Sequence, residues 1–308
     1  MDWRINVMSR PKKVKSVSQA GQIPLILMQV PFLIFFVLFT IIPIIISVIF
    51  SFTDFNMVTI NNFVGVDHYI RMFLSDKIFL KALGNTFTLA VITGPVGFIL
   101  SFVLAWLINE VPRKLRALTT FCIYAPSLAG SIYVIWQYIF SADSYGLVNN
   151  IAMELGFISK PISWLTEAKY SLTCVIIVTV WMSFSSGFLS FRAGFQALDP
   201  VYYEAAALDG LRNRWQELYF VTFPQMGPQL MFGAVQSISS AFAVGAVNAT
   251  LTGNPSSGYA THTWLLHIND YANVRYEMGY ACAMAVVLFF VMVLAWLLIN
   301  KVLRRFMD

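Results

Sequence analysis

Six apolar stretches alternate with polar ones along the chain, at about residues 24–52, 86–108, 118–139, 171–191, 226–250 and 279–300. Each is long enough for the ~20 residues that a helix needs to cross a hydrocarbon core. The pattern therefore predicts an all-α, polytopic membrane protein with six transmembrane helices. The first stretch is longer than required and holds Pro31 and Pro43, which predicts tilt or a kink there. It is too long for a signal-peptide core and no A-x-A site follows it, so it reads as a retained anchor. Residues 1–20 form a polar, basic tail, and 21–308 a single transmembrane domain. The piece Tyr69 to Phe73, with Phe79 and Leu80, has the look of an interfacial helix in a connection.

One polar stretch stands out, Asp199 to Pro224 (DPVYYEAAALDGLRNRWQELYFVTFP), between the fourth and fifth spans. Asp199 predicts a helix N-cap with Pro200 at the first helical position. Glu204 to Leu208 predicts a short helix built on three alanines, and Gly210 falls where a C-terminal cap wants glycine. A second short helical piece is predicted over Arg214 to Tyr219. Small side chains let another surface approach this backbone closely, which suggests a docking element. An ordinary amphipathic connector is the competing reading.

Composition and charge sharpen the picture. Of 308 residues 58% are hydrophobic and only 11% charged, against about 25% charged in a soluble domain. The bilayer must therefore cover much of the surface. With six spans both termini share one side. That side would hold 14 of the 20 Lys and Arg residues: the tail, Arg113, Lys114, Arg116, Arg192, Arg212, Arg214, Lys301, Arg304 and Arg305. The positive-inside rule then places both termini and the 199–224 loop in the cytoplasm. The loops 53–85, 140–170 and 251–278 fall outside. Cys122, Cys174 and Cys282 have no spacing for a disulfide framework or metal knuckle. His68, His262 and His267 lie in polar connections. No GxxxxGK[ST] loop occurs, so no P-loop nucleotide site is expected in this chain.

The cores of the six spans hold no Asp, Glu, Lys, Arg or His. Ionisable residues at membrane depth mark proton coupling and voltage sensing, so their absence weakens both. It also leaves no His or carboxylate cluster for a membrane metalloenzyme. What the spans do hold is neutral: Trp181, Ser183, Ser185, Ser186 and Gly187 on the fourth, and Gln236, Ser237, Ser239, Ser240 and Asn248 on the fifth. Ser183, Ser186 and Gly187 share a face, as do Gln236, Ser237 and Ser240. Such residues often only knit helices together in lipid. The functional reading is a neutral hydrogen-bonding path, with Trp181, Phe184 and Phe242 as apolar faces, and sugars suit that environment. A path without a motor, enclosed by few helices, asks for a second membrane subunit and a cytoplasmic energy source. A secondary transporter or channel acting alone, or a scaffold protein that transports nothing, stays open at this point.

At EAAALDG, Glu204 to Gly210, the chain resembles the EAA loop of permease subunits of bacterial ABC importers. FVGVDHYIRMF (63–73), LGNTFTLAV (83–91), VWMSFSSGFL (180–189), AGFQALDPVYYEAAALDG (193–210), LTGNP (251–255) and GYACAMAVVLF (279–289) resemble the carbohydrate-uptake branch, of the maltose and glycerol-phosphate permease type. The resemblance spans roughly 55–300 and implies the type I permease fold in a bacterial inner membrane. It also implies a second homologous permease subunit, two ATP-binding subunits that carry ATP and Mg, an extracytoplasmic solute-binding protein and a sugar, with no nucleic acid and no cofactor or metal in this chain. In that family the EAA loop is a coupling helix, so Glu204, Ala205, Ala206, Asp209 and Gly210 would dock on an ATPase subunit. Spans flanking the loop line the family's sugar site, which here includes Trp181, Met182, Ser183, Ser186, Ser237, Ser240, Ala241 and Val244. The chain departs from the pattern by one extra residue between Gly210 and Pro224. It also has Asn254 in place of a glycine and Ala125 in place of a common leucine.

Overall fold

The computed structural model describes residues 19–59, 62–128 and 132–307; the side chains of 19–26, 113, 126–128, 184–186, 306 and 307 lie outside that description. By packing the chain divides into two units, Met1–Ile49 and Phe50–Asp308. In the first, helix α1 (Gln19–Phe36) runs through Pro31 without a break, and a π turn, Val37–Ile41, joins it to α2 (Ile42–Phe50). The π turn answers to Pro43. That residue has no N–H for the Phe39 carbonyl and its ring crowds it. The ladder shifts register one residue earlier, where Ile42 N–H donates to the Val37 carbonyl.

The second unit begins with a small loop in which Thr53 and Phe63 form a single antiparallel bridge. Helix α3 (Asp67–Ile70) and a π turn, Arg71–Ser75, follow. Helix α4 (Lys77–Glu110) then starts well before the apolar stretch that predicts it. The cause is local: the Asp76 side chain accepts from Phe79 N–H at 2.9 Å and caps the helix over a polar first turn. Phe79 and Leu80 therefore belong to α4, and the short surface helix covers only Asp67 to Ser75.

Helix α5 (Arg113–Leu128) and α6 (Tyr133–Ile139) cover the described residues of the stretch expected as the third span. Residues 129–131 between them lie outside the described residues. Helix α7 (Leu147–Glu154) lies in the next connection, and α8 (Ala168–Ala197) forms the fourth span. Beyond it come α9 (Pro200–Leu208), α10 (Arg214–Glu217), a π turn, Leu218–Thr222, and α11 (Phe223–Gln225). The fifth span breaks in the middle: α12 (Gly227–Phe242) stops, Ala243 to Gly245 leave the helix, and α13 (Ala246–Thr252) resumes. Helix α14 (Trp264–Asn273) precedes the last span, α15 (Met278–Met307). Among the described residues five segments are long and apolar enough to cross a membrane: Leu27–Phe50, Lys77–Glu110, Ala168–Ala197, Gly227–Thr252 and Met278–Arg305. The structure is a multi-pass, all-helical membrane fold, and the described residues of the third predicted span are helical over α5 and α6.

In the second unit α4 packs along α8, α12 lies against both, and α15 packs on α12 and α14. Close approach is written into two glycines. A Cβ on Gly97 would meet Ser183 Oγ at 2.3 Å, and one on Gly233 would meet the Phe191 ring at 2.3 Å. Small residues at such crossings let membrane helices gain packing that lipid cannot provide. Phe191 fills the space so made and packs edge-on against Phe98 and Phe102 at 5.2 and 5.5 Å.

Candidate functional site

The break in the fifth span makes a cavity of about 290 Å³. Thr93 of α4, Tyr133 of α6, and Thr179, Met182 and Ser183 of α8 form one side. Ser237, Ser240 and Ala241 of α12, with Ala243 to Val247 across the break, form the other. Non-helical backbone at membrane depth is tolerated where it lines a cavity or is buried in protein, and one freed carbonyl is met: Thr263 Oγ1 donates to Val244 O at 2.8 Å. No lining residue is charged. Several hydroxyls are already committed to backbone, Ser183 to Val180 O at 2.7 Å and Ser240 to Gln236 O at 2.8 Å. Two are not. The hydroxyls of Thr93 and Thr179 are buried, and neither has a hydrogen-bond partner. A buried unpaired hydroxyl costs roughly 1–3 kcal/mol, and a turn about χ1 at either threonine, both of which line the cavity, would present its hydroxyl to a ligand there.

Met182, Ser183, Ser237, Ser240, Ala241 and Val244, proposed from sequence as path residues, therefore lie around one cavity. Trp181 does not: its ring packs edge-on against Trp136 at 5.4 Å. The side chain of Ser186 lies outside the described residues. Phe242 is buried on the opposite side, edge-on to Phe87 at 5.8 Å. Sequence reasoning missed Thr93 and Thr179. Each is a lone threonine in an apolar run, and only the packing of α4 on α8 brings them together.

The 199–224 loop is built as its residues predict. Asp199 Oδ1 accepts from Val201 N–H at 3.0 Å, with Pro200 in the first turn. The helix ends in a Schellman cap: Gly210 N–H donates to Ala207 O at 3.2 Å and Leu211 N–H to Ala206 O at 3.1 Å. Gly210 stands at φ +93°, with nothing within 4 Å of where a Cβ would lie. Asn213 caps α10 through Trp215 N–H at 3.1 Å. The second helical piece is thus a short helix and a π turn. The Tyr203 and Thr222 hydroxyls meet at 2.9 Å and tie the two halves of the loop. Glu204, Ala205, Asp209 and Gly210 are exposed, whereas Ala206 is buried. Leu208 is 90% exposed, beside exposed Val201 and Tyr202. That apolar surface is a feature the polar reading of the loop overlooked.

At the end of the bundle remote from this loop lies a buried polar network. His267 Nε2 and Tyr280 Oη each lie 3.0 Å from Asp76 Oδ2. The carboxylate can only accept, so neutral His267 carries its proton on Nε2, and His262 Nε2–H donates to His267 Nδ1 at 3.1 Å. Burial and the neighbouring His267 push the His262 imidazole down to about 4. Burial also lowers His267, although Asp76 pulls the other way. Arg71 pairs with Glu277 and lies over the rings of Tyr280 and Tyr271 at 4.4 and 5.3 Å. The two histidines, polar connectors by sequence, are core residues. Among the described residues no group of three metal-ligating side chains occurs.

A bundle with a broken span, a neutral mid-membrane cavity and a capped helix presented beyond the spans defines a membrane permease. Residues 97–308 match the family model described as binding-protein-dependent transport system inner membrane component, and the chain belongs to that family. It is 30% identical over 277 residues to the probable ABC transporter permease protein YesP of Bacillus subtilis (strain 168), covering 88% of this chain and 87% of that one. It is 27% identical to the arabinooligosaccharides transport system permease protein AraP of the same organism, over 91% and 88% of the two chains. A bacterial alginate ABC transporter, solved in complex with an alginate pentasaccharide-bound periplasmic protein, has a chain of the same fold. The TM-score is 0.74 at 24% identity, over 94% of this chain and 96% of that one.

Proposed function

We propose that this chain is one permease subunit of an ATP-driven, binding-protein-dependent importer that carries an oligosaccharide inward by alternating access. The observation that carries the reading is the cavity at the helix break, uncharged and lined by hydroxyls, two of them without partners. Its 290 Å³ lies at the lower edge of ligand pockets, ~300–1,000 Å³, which fits half a site completed by a second, unlike permease. The names of the relatives support oligosaccharide as the substrate class, and the periplasmic protein in the alginate complex supports delivery by a solute-binding protein. Met182, Ser183, Ser237, Ser240, Ala241 and Val244, with Thr93 and Thr179, are the residues proposed to face the sugar.

Two ATPase subunits, binding ATP and Mg, would drive the cycle by pressing on α9. Glu204, Ala205, Asp209 and Gly210, with exposed Leu208, Val201 and Tyr202, supply the docking surface, and buried Ala206 seats the helix. Charge bias supports a cytoplasmic position for this loop and both termini. ATP binding shifts the two halves between outward and inward access only by its differential affinity for the two states.

Reconstitution of the assembled transporter tests the reading. Uptake should require internal ATP and the solute-binding protein; uptake by this chain alone under an ion gradient would overturn it. Gly210→Val gives a narrower test. With φ at +93° and no neighbour to clash with, the cost is backbone strain, about 1–2 kcal/mol, confined to the cap. Membrane insertion should survive while ATP hydrolysis uncouples from uptake. Unchanged uptake removes the docking role.

A further inference from the structure

At the end of the bundle that leads into the 199–224 loop, α5 and α8 enclose a second cavity, about 590 Å³. Two arginines line it, Arg116 from the first turn of α5 and Arg192 near the end of α8. Both lean on one neutral residue. Arg116 donates from Nη2 to Asn109 O at 2.6 Å and from Nε to Val111 O at 3.2 Å. Arg192 donates from Nη1 to Asn109 Oδ1 at 3.4 Å. Arg192 is 5% exposed, its Nε has no partner, and among the described residues no carboxylate pairs with it. The nearest acid on α4, Glu110, is engaged with Arg214 at 3.4 Å. Arg116 lies close enough to repel Arg192.

A buried cation without a counter-charge is costly, of order several kcal/mol, and two converging cations raise that cost. Every charge lining this cavity is positive, so its complement is an anion. The neutral lining fits one with an amphiphilic body: Thr120, Tyr124 and Gln196 offer hydroxyl and amide groups, while Phe121 and Leu189 are exposed apolar side chains at its mouth. Guanidinium groups match phosphate oxygens in geometry, and basic pockets between membrane helices are suited to lipid head groups. We propose that this cavity is a phosphate-binding site, occupied by the head group of an anionic phospholipid whose chains run along Phe121 and Leu189. Bound there, the lipid would neutralise Arg192 and brace α5 against α8 just before the loop.

The test uses the transporter as purified from membranes with whatever subunits accompany this chain. It is offered phosphatidylglycerol or phosphatidylcholine of matched chains, and separately inorganic phosphate, and retained ligand is read by native mass spectrometry. Preference for phosphatidylglycerol should be about tenfold, as loss of one charge-assisted contact predicts. It should fall to near unity in Arg192→Met and persist in Arg304→Gln, a basic surface position elsewhere. Ala193→Glu, at an exposed lining position, places a carboxylate beside the arginines and should also abolish the preference, which keeps the test decisive if Arg192→Met fails to assemble. Retention of inorganic phosphate lost in either cavity variant, with no lipid preference, upholds the phosphate site and assigns it a soluble source. Preference unchanged in both cavity variants, an equal loss in Arg304→Gln, or retention of neither ligand overturns the proposal.

Discussion

Two buried polar regions of the bundle, around Asp76 and around the helix break, treat their hydrogen bonds in opposite ways. Around Asp76 nearly every group is engaged: one carboxylate takes Phe79 N–H, His267 and Tyr280, while Arg71 is held by Glu277 and two rings. Around the helix break the groups are neutral, and Thr93 and Thr179 are left without partners. A network that satisfies its own members rigidifies a fold. A cavity that leaves donors and acceptors open keeps them for something that comes and goes. The difference teaches that buried polarity alone marks neither stability nor function; what distinguishes them is whether the chain itself completes the bonds.

Removing the hub of the satisfied region should have the largest effect. Asp76→Ala takes away the cap of α4 and strands the Tyr280 hydroxyl and the His267 imidazole in the core. With roughly 1–3 kcal/mol for each of the two buried groups left unpaired and about 1 kcal/mol for the cap, a loss of about 3–7 kcal/mol is expected. Thermal unfolding of the purified transporter would show it. A variant as stable as the parent would remove the clamp and with it the contrast.

A smaller effect comes from pH. The His262 imidazole is pushed to about 4 in the folded chain, below the ~6.5 of a free imidazole. The unfolded chain therefore binds the proton more readily. The contribution to stability is complete above about pH 6.5 and drains away as pH falls toward 4, by up to about 3 kcal/mol. Protonation adds a donor at Nδ1, which has no partner. The Tm measured across that window should fall with pH, and the fall should flatten in His262→Gln. Asp76, held below its usual range despite burial by Phe79 N–H and His267, should give a separate loss at lower pH.

Much of this was legible in the chain. Apolar runs gave four of the long helices after the first to within a few residues at one end, and Asp199, Pro200 and Gly210 announced the loop's caps because capping is local chemistry. Spacing put Ser183 on one helix face and Ser237 and Ser240 on another, the family resemblance added Met182, Ala241 and Val244, and all six line one cavity. What escaped depends on contacts distant in sequence. Gly245 in an apolar run gives no sign that the helix stops there; the break is held by Thr263, eighteen positions later. Asp76 extends α4 through a cap that hydropathy does not register. His262 and His267 look solvated in a polar connection, and only Asp76, nearly two hundred residues away, makes them core. Trp181 shares a helix with the cavity residues, but its ring is taken by Trp136.

The smallest effect on stability should come from the open region, and it is the most discriminating. Thr93→Val and Thr179→Val keep shape and remove hydroxyls that bond to nothing in the chain. Each should leave Tm unchanged or raise it, since no intramolecular bond is lost and a desolvation cost of up to about 1–3 kcal/mol is relieved. Each should also raise the sugar concentration for half-maximal uptake about fivefold, the equivalent of one neutral hydrogen bond of about 1 kcal/mol. If Thr179→Val destabilises the fold instead, its hydroxyl is structural and the cavity resembles the clamp. If stability and uptake both stay unchanged, the hydroxyl faces no ligand, and the sugar contacts must come from the serines across the break.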